Sequence, residues 1–269
     1  FGYDFFSSYQ STFAPINNPN PSSDYILDWG DEIKIQFVGK QNEESIIQVN
    51  RDGTLNVPSV GKINVAGLSI SNAFEIVNQE IKKGIIGVNA FISLHSLRDI
   101  NILVIGEAEN PGFYTLPGGS NILSLINVVG GIKKSGSLRS IIHKRNNNTL
   151  QEIDLYEVLI KGNIVFDHQL RNGDVIDVQP INSRVSITGG INKPGIFELK
   201  SNETLQDLIE FASGVQVNTQ EEIKISKSSG KIENVNINKL DDVFLNSGDS
   251  VHVFNYYPDN IKTFKVRVT

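Results

Sequence analysis

One stretch of this chain occurs twice, and that duplication limits the possible folds more than any other feature. The first copy opens at Val104-Ile105-Gly106 and continues through Asn110-Pro111-Gly112-Phe113-Tyr114. The second opens at Ile187-Thr188-Gly189 and continues through Asn192-Lys193-Pro194-Gly195-Ile196-Phe197. The same offset aligns Ile122, Leu125, Ile126, Val129 and Gly131 with Leu205, Leu208, Ile209, Ala212 and Gly214. After a slightly shorter middle, Leu170-Arg171-Asn172-Gly173-Asp174 matches Leu245-Asn246-Ser247-Gly248-Asp249. Three blocks in one order with one small gap mean a tandem duplication of a unit of roughly 75–85 residues.

Each block implies a local structure. A β-branched strand runs into glycine, Pro-Gly turns the chain, and an aromatic re-enters the sheet. Apolar residues at i, i+3, i+4 and i+7 then give one helix face, ended by glycine. The Gly-Asp turn leads into an alternating strand, and its carboxylate is placed to accept backbone N–H groups. Strand, turn, strand, helix, hairpin and closing strand describe a β-rich α+β module of the β-grasp kind. The hairpins are expected around Asn146-Asn147-Asn148 and Ser228-Ser229-Gly230, with a short helical turn over 155–159.

The double unit resembles a pair of SLBB repeats (soluble ligand-binding β-grasp modules) of the outer-membrane polysaccharide export proteins. Upstream, Tyr25, Leu27, Gly30 and Asp31 are followed by Asp52, Gly53, Leu55, Pro58 and Gly61, and then by Gly67 and Ser69. This series resembles the polysaccharide export (PES) domain, with Asp28-Trp29 where family members commonly carry small residues. The sequence predicts a hairpin over 46–57 with Asp52-Gly53 as its turn. It also predicts a helix capped by Ser69 or Ser71, with Ile70, Ala73, Phe74, Val77 and Ile81 on one face.

The expected fold class is therefore α+β, a β-rich PES domain followed by two tandem β-grasp-like SLBB domains in an elongated arrangement. The expected division is an aromatic and proline-rich arm at 1–23, the PES domain at 24–98, and SLBB repeats at 99–181 and 182–257. Residues 258–269 read as the opening strand of a truncated further repeat, because Lys265-Val266-Arg267-Val268 matches the repeat-opening strand at Val185-Ser186-Ile187-Thr188. The chain has no methionine, even at position 1, and with a start at Phe1 reads as a fragment or mature form with its N-terminus removed. The unpartnered last strand is expected to continue into further repeats, making this an N-terminal piece. In the arm, Phe1, Tyr3, Phe5, Phe6, Tyr9 and Phe13 would not remain in water uncovered. They are expected to pack on the chain's own domain or on a neighbouring subunit. The short linkers, such as Pro180-Ile181-Asn182-Ser183, predict a rod rather than beads on a cord.

Little in the sequence points to catalysis. The four histidines, His95, His143, His168 and His252, are scattered and read as surface or strand-end residues. There is no cysteine, no Gly-x-Ser-x-Gly elbow and no phosphate loop. Asp31, Asp174 and Asp249 recur at one structural corner, which marks turn-formers rather than catalysts. No catalytic, cofactor-binding or metal-binding residue is assigned, and no cofactor is expected. The net charge of −6 argues against a nucleic-acid partner.

The resemblance implies a non-catalytic periplasmic part of an outer-membrane conduit for capsular or extracellular polysaccharide. It implies a homo-oligomeric ring and an inner-membrane polysaccharide co-polymerase as partner. The alternative is a soluble glycan- or small-ligand-binding module, with Tyr114, Phe197, Tyr256 and Tyr257 as stacking platforms.

Overall fold

The computed structural model describes residues 1–7, 21, 23–39, 43–163 and 168–256. Tyr9, Phe13 and Tyr257, the prolines at 15 and 19, and the expected strand at 265–269 lie outside the described residues. The chain opens with a single helical turn, α1 (Asp4–Ser7). After the Gly30-Asp31 corner, β1 (Glu32–Gly39) alternates so that Ile33, Ile35 and Phe37 face inward. It pairs antiparallel with β2 (Glu43–Gln48) on one side.

The predicted hairpin across Asp52-Gly53 is corrected by the structure. The turn itself forms, with the Gly53 N–H donating to the Asn50 carbonyl at 2.9 Å. The strands it joins then part: β3 (Thr54–Val57) pairs with β4 (Gly61–Asn64), not with β2. The cause is Val49, which is fully buried and gives its N–H to the Asp31 carbonyl at 2.8 Å. Val49 so extends the β2 pairing onto the Gly30-Asp31 corner, its carbonyl accepting from the Gly30 N–H at 3.1 Å, and the chain enters a separate ribbon only beyond the Asp52-Gly53 turn. Helix α2 (Ile70–Gly84) forms as expected, with Ser69 as the cap accepting from the Asn72 N–H. Its buried face carries Ala73, Val77 and Ile81. Strand β5 (Val88–Ser96) completes the sheet in the order β2-β1-β5.

Only Leu97 and Arg98 separate β5 from the first repeat. That repeat contains β6 (Asp99–Gly106), β7 (Gly112–Pro117), α3 (Ile122–Val129) and β8 (Gly136–Arg145). It continues with β9 (Asn148–Ile153), α4 (Leu155–Leu159) and β10 (Val175–Pro180). The second repeat contains β11 (Arg184–Gly189), β12 (Gly195–Glu198), α5 (Leu205–Phe211), β13 (Thr219–Ser226), β14 (Ile232–Asn236) and β15 (Ser250–Asn255).

The strand orders are β7-β6-β10-β8-β9 and β12-β11-β15-β13-β14, the same topology twice. In each, one parallel pair sits among antiparallel neighbours: β6 with β10, and β11 with β15. The duplication reaches the register, since Val104 faces Ile176 in one copy and Ile187 faces Val251 in the other. Each repeat thus reproduces its partner's ladder, which is the α+β architecture the sequence called for.

The cores divide unevenly. Leu27, Ile33, Leu55, Val77 and their neighbours form one cluster under the three-stranded sheet. The buried residues of both repeats form a single continuous cluster, which also takes in Phe6 of the arm. Two modules that share apolar burial lose more surface on separation than two independent beads would.

Candidate functional site

Three Gly-Asp corners, one per unit, are built alike. Asp31, Asp174 and Asp249 are almost fully buried, and each carboxylate accepts the N–H of the residue three before it: Asp28, Arg171 and Asn246, at 2.8–2.9 Å. Each also meets a cation. Arg98 lies 2.5 Å from Asp31, Arg145 lies 2.6 Å from Asp174, and Lys227 lies 3.3 Å from Asp249. Arg145 and Lys227 occupy equivalent places, each just past the last residue paired with β10 or β15. The corner also anchors the parallel strand, because the Asp174 and Asp249 carbonyls accept from Leu103 and Ser186. The turn-forming role expected of these aspartates is what the geometry shows.

His143 departs from the expected surface position. It is fully buried, and its Nε2 lies 2.7 Å from Asp174, while His168 meets its ring edge-on at 6.5 Å between centroids. Ile225 holds the same register position in the second repeat, so an apolar residue serves there without the pair. Burial by itself would raise the Asp174 carboxyl. Hydrogen bonds from Arg145, His143 and the Arg171 N–H outweigh it and hold the group at about 2, below its ordinary 3.8. A depressed folded value stabilises above the unfolded one and is lost as the carboxylate protonates. Between pH 4 and pH 2 the protein is therefore expected to lose on the order of 1 kcal/mol through this group, after discounting for solvent screening. Denaturant titrations across that window check this, and Asp174→Asn should flatten the slope.

The junction of the two repeats is organised around Arg139, which is 4% exposed. Its guanidinium reaches Asp154 of its own repeat through Nε and Nη2 at 2.9–3.2 Å. Across the junction it meets both carboxylate oxygens of Glu203, with Nη2 at 2.6 Å, and donates to the Glu198 carbonyl at 3.0 Å. It stacks between Tyr156 and Phe211, 4.6 and 5.1 Å from the ring centroids. Glu198 in turn accepts from Ser137 Oγ at 2.6 Å and from the Leu138 N–H at 3.1 Å. Burial pushes the Glu198 carboxyl up. Burial would raise Asp154 too, but Arg139 and Lys200 hold it below the usual carboxylate range. This is a polar joint with its charges paired, so it fixes orientation as well as distance.

The arm docks on the same junction. Phe1 stacks on Phe197 at 5.0 Å, and its nitrogen donates to the Ile196 carbonyl at 2.8 Å. The Tyr3 hydroxyl donates to the Gly136 carbonyl at 2.6 Å. Residues 1–7 therefore pack on the repeats of their own chain. This corrects the expectation that they would cover their own domain. Between arm and repeats lies a half-open cleft of about 280 Å³, lined by Phe1, Tyr3, Lys134, Arg184, Ile196 and Glu198 among others.

The proposed stacking platforms are not brought together. Phe197 is 1% exposed and belongs to the shared core, which overturns its role as an exposed platform. Its side chain falls on the inward face of β12 and is needed under the arm. Tyr114 is half-buried with its hydroxyl donating to the Asn110 carbonyl at 2.5 Å, and Tyr256 stays exposed. The exposed aromatic after Pro-Gly is Phe113, at 80%. Sequence reasoning missed Phe113, because strand alternation points Phe113 and Tyr114 to opposite faces and only the core decides which is inward. It missed Arg139 for lack of any motif. Among the described residues there is no group of three or more His, Asp or Glu placed to hold a metal. No described helix is long and apolar enough to cross a membrane.

Residues 19–95 match the family model described as polysaccharide biosynthesis/export protein. Residues 101–178 and 184–236 each match a model of the SLBB domain. The chain is 29% identical over 204 residues to the polysialic acid transport protein KpsD of Escherichia coli, and 28% identical over the same length to a second KpsD of that organism. Each alignment covers 75% of this chain and 36% of the relative, so the chain spans little more than a third of the length of the curated relatives it matches.

Proposed function

This chain belongs to the polysaccharide export proteins, and from that premise we propose that it is the periplasmic part of an outer-membrane conduit for capsular or extracellular polysaccharide. Its units divide at 24–98, 99–181 and 182–257. Identical copies assemble into a ring, and an inner-membrane co-polymerase meets that ring from below. The polymer passes without covalent chemistry. The observation that carries this reading is the order of the matched modules, an export domain and then two SLBB domains, joined by two- and three-residue links. The closed joint at Arg139 supports it, since a ring wall needs modules of fixed relative orientation.

Deleting the gene in its own organism is expected to trap polysaccharide inside the cell envelope, and re-expression to restore surface polymer. Electron microscopy of the full-length protein extracted from membranes is expected to show rings. Normal surface polysaccharide in the deletion strain would sink the proposal.

A second reading, a soluble glycan- or small-ligand-binding module, is favoured by one observation. The arm and both repeats enclose a cleft whose apolar walls carry a few polar groups, the usual make-up of a ligand site.

A further inference from the structure

We propose that this cleft binds a single anionic sugar unit, with its carboxylate held by Lys134 and Arg184 and its ring against Phe1 and Ile196. The proposal deepens the ligand-binding reading and is independent of the conduit. Three separate parts of the chain meet here: the arm, the loop before β8 that carries Lys134, and the first residue of β11, Arg184. Among the described residues neither cation has an ion pair or a side-chain hydrogen bond.

The other polar groups facing the cleft are already engaged. Both Glu198 oxygens accept hydrogen bonds, from Ser137 and Leu138. Asp4 has a partner of its own. The Tyr3 hydroxyl donates to Gly136, and the Tyr156 hydroxyl accepts from the Glu198 N–H. Lys134 and Arg184 are thus the side-chain cations left uncommitted in a pocket whose carboxylates, Asp4 and Glu198, already have partners. A carboxylate answers them with charge-assisted hydrogen bonds.

The ring of a sugar has an apolar face that suits the partly exposed Phe1 and Ile196, the latter 56% exposed. The volume of about 280 Å³ lies just under the roughly 300–1,000 Å³ of drug-sized ligand sites, which fits one ring rather than a long segment. A chain of net charge −6 repels an acidic polymer at a distance. A local pair of cations in a half-open cleft gives weak, reversible capture instead.

The test is titration of this 269-residue chain with glucuronic acid at low salt, followed by nuclear magnetic resonance. Glucose is run in parallel, and sulfate as a competitor. Glucuronate is expected to bind with a Kd of about 1 mM and at least tenfold more tightly than glucose. Lys134→Gln and Arg184→Gln, both at exposed positions, should each weaken it tenfold or more with unchanged melting temperature. Exposed Arg171→Gln, outside the cleft lining, should leave binding alone. Equal affinity for glucose and glucuronate would overturn the proposal, and so would indifference to both cleft variants. Sulfate displacing glucuronate at equal concentration would reduce the cleft to a simple anion site and also overturn it. Any of these failures leaves the export phenotype untouched, so the two readings fall separately.

Discussion

Arg139→Met is expected to destabilise the protein by about 3–5 kcal/mol, the usual result of removing one partner from a buried charge cluster. The variant keeps most of the apolar stem between Tyr156 and Phe211 but strips the donors from Asp154, Glu203 and the Glu198 carbonyl. Two carboxylates would then remain at a closed junction with Lys200 on Asp154 as the nearest remaining cation. Because Arg139 ties one repeat to the other, calorimetry is expected to show more than a lower melting temperature. The single transition of the paired repeats should broaden or split as they uncouple. Arg139→Lys should recover only part of the loss, since an ammonium restores charge without the planar fork that serves Asp154 and Glu203 together. An unshifted melting curve for Arg139→Met would show that the joint is ornamental.

Gly189→Ala should cost about 3–4 kcal/mol, combining a strained backbone with a steric conflict. Gly189 has φ +88°, and a Cβ there would sit 2.0 Å from the Val253 carbonyl oxygen. That oxygen already accepts the Gly190 N–H at 2.8 Å, so it has no free direction in which to retreat. Gly106 repeats the situation, with φ +78° and the Val178 oxygen 2.1 Å away. Two controls separate the causes. Gly61→Ala has φ +107° but open space around it, and should show the backbone cost alone, about 1–2 kcal/mol. Gly112→Ala meets nothing within 4 Å and should be close to neutral in chemical denaturation. If Gly61 and Gly189 prove equally sensitive, the carbonyl contact is not what matters.

These glycines also show why so much of the fold was legible beforehand. Gly106 and Gly189 stood out in the sequence because they recur at one offset, and the structure gives both the same contact. The Gly-Asp corners were equally readable, since an aspartate bonding the N–H three residues back is a local arrangement needing no distant partner. The helix from Ile70 and its Ser69 cap follow from spacing and a single side chain.

The readings that failed involved residues whose fate depends on something far along the chain. Val49 stays buried and paired to the Gly30-Asp31 corner, which nothing in residues 46–57 announces. Phe197 looked like a platform until Phe1, almost two hundred residues earlier, covered it. His143 lies buried where Asp174, far along the chain, meets its Nε2.

The sequence on its own settled the α+β modules, their duplication and the corners that close them, because periodicity and short-range hydrogen bonding act within a few residues. Only the tertiary structure decided that the two repeats share one core, that Arg139 locks them, and that the arm seals their junction over a cleft. Those contacts join residues about 60 to nearly 200 positions apart, and their energy comes from apolar burial and from charges and hydrogen bonds paired across the junction. No single segment carries that information.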